Sequence, residues 1–240
     1  MQVPLFFMEN VQENFISLPA EESKHCIRVL RLTTNHRVDV TDGTGNLFKT
    51  IIHEANPKET VLKVENRIHY PETHPFRIHI AVAPTKNINR FEWFLEKATE
   101  IGIDEITPVI CENSERDILK TDRLKRVMIA AMKQSIKYRM PKLNEPVAFT
   151  TFLEQAETSN AFIAWCNNDV THSLANACRK NKNTVVLIGP EGDFSNEEAQ
   201  MAIHKGFAPV SLGSSRLRTE TAALVACHTV HIIHQIMHTE

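Results

Sequence analysis

Two glycine-bearing segments hold the residues of this 240-residue chain best suited to chemistry. The first, "TVVLIGPEGDFS" (184–195), runs a β-branched stretch into a turn in which Gly189 and Gly192 flank Pro190 and Glu191. The second, "PVSLGSSRLRTET" (209–221), runs a short strand-like stretch into Gly213 and then a polar, basic loop. Glycine lets the backbone approach a ligand closely. The chain has only seven glycines, and three of them sit at these two places. The chemistry on offer is ligand recognition at strand ends. Tight turns serving the fold alone are the plainer reading of the same pattern.

Charge supplies the second signal. Residues 120–142 hold eight Lys or Arg and one acid, Asp122. At about 100° per residue, Arg123, Arg126, Lys133 and Lys137 share one stripe of a helix, opposite Leu124, Val127, Met128 and Ala131. A basic stripe without interleaved acids points to nucleic-acid contact; the ordinary alternative is a solvated face. Lys24, His25, Arg28 and Arg31 form a second basic cluster at helical spacing. Near the end, His228, His231, His234 and His238 share one helix face, but no acid or cysteine completes a metal geometry. A polar helix face is expected there, and no metal. The broad apolar side of that helix suits either intramolecular burial or a second subunit.

The elements that must position these residues fall into two groups. The first seventy residues are β-rich: 37–43, 47–55 and 60–68 read as strands, with the turn signal "DGTG" (42–45) between the first two. One helix is expected over 20–31. "HYPETHP" (69–75) carries two prolines and no periodicity, so a boundary belongs there, giving domains 1–72 and 73–240. Beyond it, strands at 76–84, 104–110, 161–165, 184–189 and 209–213 alternate with helices at 90–102, 121–140, 171–181, 195–206 and 219–238. That alternation predicts an α/β domain with a mostly parallel sheet. Ser195 and Glu198 form a capping-box signature at one helix start.

Composition narrows the class. With 42% hydrophobic and 23% charged residues and a net charge of -2, the chain reads as soluble and globular rather than disordered. No apolar run is long enough for a signal segment or a membrane span. The five cysteines are odd in number and show no CxxC spacing, which predicts free buried thiols in a reducing cytoplasm. There is no GxGxxG after the first α/β strand, no GxxxxGK[ST], no GxSxG and no HExxH. A bound cofactor must therefore be held by some other loop arrangement.

"GPEGDFSNEE" (189–198) followed by "LGSSRLRTETAALVA" (212–226) resembles the C-terminal signature of the bacterial methyltransferases that modify N3 of a uridine in 16S ribosomal RNA. "HCIRVLRL" (25–32) resembles that family's N-terminal motif, and "FLEKATEIGIDEITPVICENSER" (94–116) its central one. The match runs from about residue 4 to the end in the same order. Two places depart from the pattern: Ser215, where many relatives carry Arg, and "KQSIKYRMP" (133–141).

The resemblance implies a PUA-like β-barrel for RNA docking and a C-terminal α/β domain whose last segments form a trefoil knot, as in the SPOUT class. It implies a cytoplasmic homodimer acting on 16S rRNA within the assembled small subunit, with S-adenosyl-L-methionine as cofactor. Carried over by motif, the cofactor loops are Ile188, Gly189, Pro190, Glu191 and Gly192, then Leu212 and Gly213, then Leu217, Thr219 and Ala222. Arg218 is the candidate for stabilising the uracil anion, and Glu220 acts as base or orients Arg218 and its loop. RNA contacts are expected from Lys24, Arg28, Arg31, Arg123, Arg126, Lys133 and Lys137. The competing readings are a knotted methyltransferase acting on transfer RNA or large-subunit rRNA, and a non-catalytic RNA-binding protein of the same fold.

Overall fold

The computed structural model describes residues 3–9, 11, 14–72, 76–165, 170 and 172–235. The chain divides into two compact units, Met1–Thr73 with Met132–Met140, and His74–Ala131 with Pro141–Glu240.

The first unit is a five-stranded sheet. Its strands are β1 (Leu5–Phe7), β2 (Phe15–Ser17), β3 (Arg37–Thr41), β4 (Asn46–Glu54) and β5 (Val61–His69), in the order β1-β3-β4-β5-β2. The three longer strands, expected from their alternation, pair antiparallel, and β1 adds in parallel to β3. Strands β1 and β2 are three residues each, too short to show a period. Phe6, Ile16, Val38, Val40, Phe48, Ile52 and Leu62 form the core.

The helix expected over 20–31 is shorter and irregular. It comprises α1 (Ala20–Lys24) and a π-helical turn, His25–Val29. Leu30 N–H reaches back five residues to the His25 carbonyl, and Arg31 ends the run at φ 55°. Arg31 therefore leaves the helical spacing that links Lys24 and Arg28; all three side chains are exposed.

Residues 132–140 join this unit through backbone bonds. Gly45 N–H donates to the Tyr138 carbonyl and Met140 N–H to the Gly43 carbonyl, each at 2.8 Å. The Tyr70 and Tyr138 rings pack at 4.7 Å. Gly45 is required here: its φ is +99°, and a Cβ would lie 2.5 Å from the Tyr70 carbonyl.

The second unit is built on parallel strands β6 (Ile78–Val82), β7 (Glu105–Ile110), β8 (Lys142–Leu143), β9 (Val147–Ala148), β10 (Ala161–Ala164), β11 (Thr184–Ile188) and β12 (Ala208–Val210). The order is β12-β10-β11-β6-β7-β8, with β9 also on β7. The helices are α2 (Ile88–Ile101), α3 (Thr121–Gln134), α4 (Phe149–Gln155), α5 (Leu174–Ala177), α6 (Asn196–Lys205) and α7 (Thr219–Gln235). Both sheet faces are covered. Ala81, Val109 and Leu187 meet α4 and α6 on one side, while the alternate residues of β6 and β11 lie on the side of α2 and α7. This is the mostly parallel α/β domain that strand–helix alternation predicts.

Helix α4 is not among the expected elements, and three of the expected helices differ in the structure. Helix α3 ends at Gln134 rather than 140, because Ile136 turns to φ 54°, a conformation costly for a β-branched residue. Lys137 thus lies beyond the helix and off the predicted stripe. Helix α5 is four residues long. On α7, His234 does not belong to a polar face: it is buried, stacked on Phe76 at 3.6 Å, and accepts the Asn181 backbone N–H. His238 lies outside the described residues. Cys26, Cys111, Cys178 and Cys227 are free and buried. Burial pushes the Cys26 thiol up to about 11 and Cys227 up to about 12. Cys166 lies outside the described residues.

Candidate functional site

Strands β12, β10 and β11 are neighbours, and their carboxyl ends open into a cavity of about 950 Å³. The chain reaches β12 at the sheet edge, then returns across these strand ends to α7, which packs on β6, β11 and α2. The returning segment, 211–218, closes one side of the cavity. The carboxyl edge of a parallel sheet is where such folds bind ligands.

Nine of the ten sequence-predicted cofactor residues line it: Ile188, Gly189, Pro190 and Glu191 after β11, Leu212, Gly213 and Leu217 after β12, and Thr219 and Ala222 on α7. Gly192 does not. It faces Asn113, where a Cβ would sit 3.2 Å from the Asn113 Cβ. Gly189 is backed by the Phe194 ring, 3.1 Å from where a Cβ would stand. Gly213 adopts φ +129°, and a Cβ there would meet nothing within 4 Å, so its backbone borders open space. The Ser211 hydroxyl fixes that loop by accepting the Gly213 N–H and donating to the Gly213 carbonyl.

The cavity loops are fastened to one another by long-range polar contacts. Glu191 Oε1 accepts the Lys86 backbone N–H at 3.0 Å. Asn113 Nδ2 donates to the Asp193 carbonyl, and Arg116 donates to the carbonyls of Thr85 and Lys86. Glu198 completes the predicted capping box with Ser195 and also accepts the Glu112 N–H at 2.8 Å. Thus Asn113 and Arg116, at the end of the central motif, tie the loops after β6, β7 and β11 together.

The two candidate catalytic side chains are not a pair. Arg218 lines the cavity, is exposed, and makes no ion pair among the described residues. Glu220 is buried at the start of α7, and its Oε1 lies 3.9 Å from Nε of Arg90, not from Arg218. Glu220 Oε2 has no hydrogen-bond partner among the described residues. Arg90, on the first turn of α2, lines the same cavity.

Arg90 escapes a motif-based reading. The signal that finds it is its place on the helix following β6, another carboxyl strand end. Trp165, the last residue of the strand predicted over 161–165, packs on the core and also lines the cavity beyond β10.

The basic stripe on α3 is partly neutralised by acids from elsewhere in the chain. Arg123 pairs with Glu92 and Lys133 with Glu22, each at 2.5 Å. Arg126 is exposed and donates to the Asp122 carbonyl. Leu124, Met128 and Ala131 are buried, as the opposite face predicts. Among the described residues no group of His, Cys, Asp and Glu could hold a metal, and no helix is long and apolar enough to cross a membrane.

Comparison with known proteins follows the same division. The family model for the RNA methyltransferase domain matches residues 72–231, and that for the RNA methyltransferase PUA domain matches 18–65. A curated relative, ribosomal RNA small subunit methyltransferase E of Mesomycoplasma hyopneumoniae, is 29% identical over 91% of this chain and 95% of its own length. The crystal structure of a probable rRNA-methyltransferase from Porphyromonas gingivalis superposes with a TM-score of 0.90 at 39% identity, covering 98% of this chain and 99% of that one. Ribosomal RNA small subunit methyltransferase E of Neisseria gonorrhoeae, bound to S-adenosyl methionine, superposes at 0.85 with 25% identity, over 97% and 98% of the two chains.

Proposed function

Because the chain belongs to the RNA methyltransferase family, we propose that it is an S-adenosylmethionine-dependent enzyme that methylates N3 of one uridine in the 16S rRNA of the small ribosomal subunit. The observation that carries this reading is the cavity over β12, β10 and β11, lined by the loops whose motifs resemble that family. Relatives across most of the chain's length are named for small-subunit rRNA methylation, and one was solved with the cofactor bound.

The site fits the cofactor. Its volume lies within the ~300–1,000 Å³ usual for small-molecule sites. Ile188, Leu212, Leu217 and Ala222 offer apolar surface, and the Gly213 backbone borders open space. Gly189, Pro190, Glu191, Gly192 and Thr219 complete the proposed cofactor site. Bound there, S-adenosylmethionine supplies an electrophilic methyl group. The chain's own work is to hold the target base in line with it and to help the base lose its N3 proton. Arg218, exposed at the cavity, is placed to stabilise negative charge on the base, and Glu220, buried at the start of α7, faces Arg90. The base must be unpaired or flipped to enter.

For docking, the exposed Lys24, Arg28 and Arg31 of the PUA-like domain and Arg126 of α3 are the foremost phosphate contacts. Arg123 and Lys133 join them only by exchanging their acidic partners for phosphate, and Lys137 completes the proposed set. We assign the domains as 1–72 and 73–240. We also assign a homodimer: Leu224, Val225, Ile232 and Ile233 of α7 are only half-buried in the single chain, an apolar surface suited to a second copy. A ribosomal substrate is the support for assigning the protein to the cytoplasm. The experiment is transfer of radiolabelled methyl from S-adenosylmethionine to isolated small subunits by the purified protein. Label in 3-methyluridine supports the reading; label only in transfer RNA or large-subunit rRNA contradicts it.

A further inference from the structure

We propose that Arg90 is a catalytic residue of this site, a guanidinium that Glu220 aims at the carbonyl edge of the base being methylated. The inference rests on the reading above and gives it a second cation, outside both motif loops.

Glu220 is 8% exposed, and its Oε2 has no hydrogen-bond partner among the described residues. A buried carboxylate without donors is costly, so a cation belongs beside it. Arg90 is its ion-pair partner among the described residues, with Nε 3.9 Å from Oε1. That distance is an ion pair and not yet a hydrogen bond. Closure by about an ångström would bring Nε into hydrogen-bond range of Oε1 and fix the guanidinium beside the carboxylate.

The other charged groups at the cavity are otherwise placed. Glu191 Oε1 accepts the Lys86 N–H, while its buried Oε2 has no hydrogen-bond or ion-pair partner among the described residues, and Asp193 Oδ1 accepts the Phe194 N–H. Arg216 and Arg218 are exposed and make no ion pair among the described residues. Arg90 is therefore the cation with an acid behind it. The Arg90 side chain is 38% exposed and lines the cavity, so one edge of its planar fork can meet Glu220 while another faces the ligand space.

The chemistry asks for such a group. When the N3–H bond breaks, the proton leaves to water and the electron pair stays on N3. The negative charge is then shared with the two flanking carbonyl oxygens. A guanidinium beside that edge lowers the affinity of N3 for its proton and makes the pair available near neutral pH. On this account Glu220 is a positioning residue and not the base.

The test compares wild-type protein with Arg90→Gln, Arg90→Lys and Glu220→Gln. Titration calorimetry with S-adenosylmethionine reports the cofactor site, and single-turnover methylation of small subunits from pH 6 to 9.5 reports N3 ionisation. Arg90→Gln is expected to bind the cofactor within about threefold of wild type, and to methylate about 10²–10³-fold more slowly at neutral pH. Its pH–rate curve should continue to rise beyond the pH at which the wild-type curve flattens. Arg90→Lys should recover part of the rate and part of the pH shift, and Glu220→Gln should show a smaller shift in the same direction. A variant rate lowered by the same factor at every pH, or not lowered, overturns the assignment while leaving the enzyme's identity intact. Wild-type protein that forms no 3-methyluridine removes the function itself, whatever Arg90 does.

Discussion

The carboxylate of Glu191 accepts the backbone N–H of Lys86 at 3.0 Å, joining two cavity loops that are 105 residues apart in the chain. The contact makes Glu191 a fastener of the cavity as well as part of its wall. Glu191→Ala removes the acceptor and should weaken S-adenosylmethionine binding by up to about tenfold, since a hydrogen bond to a charged group contributes about 1.5–3 kcal/mol and partial exposure reduces it. Glu191→Gln keeps an acceptor and should retain most of the affinity. Calorimetry on the two variants checks this; equal losses would show that charge rather than loop closure matters.

Arg218 is exposed at the cavity with no ion pair among the described residues, so it contributes little to holding the fold. Arg218→Ala should therefore leave the thermal midpoint and cofactor affinity nearly unchanged. Turnover should fall by roughly 10²-fold or more if the side chain stabilises charge on the base. Steady-state methylation beside a melting curve separates the two effects.

His79 gives the fold a predictable acid sensitivity. Burial among β6, β7 and α4 pushes its imidazole down from the ordinary 6.5 to about 4, with Nε2 2.7 Å from the Thr107 hydroxyl. Between those pH values the unfolded chain binds a proton that the folded chain does not. The penalty is absent above about pH 6.5, grows as pH falls, and is complete below about 4, reaching roughly 3 kcal/mol. His79→Gln removes this titration. The stability difference between wild type and variant should shift in the variant's favour between pH 6.5 and 4; a constant difference would contradict the account.

Salt dependence distinguishes the two basic clusters. Lys24, Arg28 and Arg31 are exposed, whereas Arg123 and Lys133 are already paired with acids. Replacing the first three with alanine should reduce the slope of log affinity against log salt by ~0.7–0.9 per lost phosphate contact. Replacing Arg123 and Lys133 should change the slope less and stability more. Filter binding to rRNA fragments over a salt series reads both.

The strands were legible where period was present. Val38, Val40, Phe48 and Ile52 alternate inward, and the β-branched run 184–188 is buried throughout. Strands β1 and β2 are three residues long and hold their places through partners distant in sequence, so local pattern could not reveal them. The end of α3 was hidden because its stop is a backbone conformation at Ile136, not a proline or glycine. In the site, glycine and strand-end logic found the two loops after β11 and β12. It missed Arg90, whose significance depends on meeting Glu220 from a helix 130 positions away. The partners of the α3 stripe were hidden for the same reason: acids lacking in the local sequence arrive from Glu22 and Glu92.

The most direct measurement is mass-spectrometric mapping of small-subunit rRNA from cells lacking this protein, before and after treatment of their subunits with purified protein and S-adenosylmethionine. The account predicts one 3-methyluridine that disappears with the protein and returns on treatment. An unchanged set of rRNA methylations, or a modification lost only from another RNA, would contradict it.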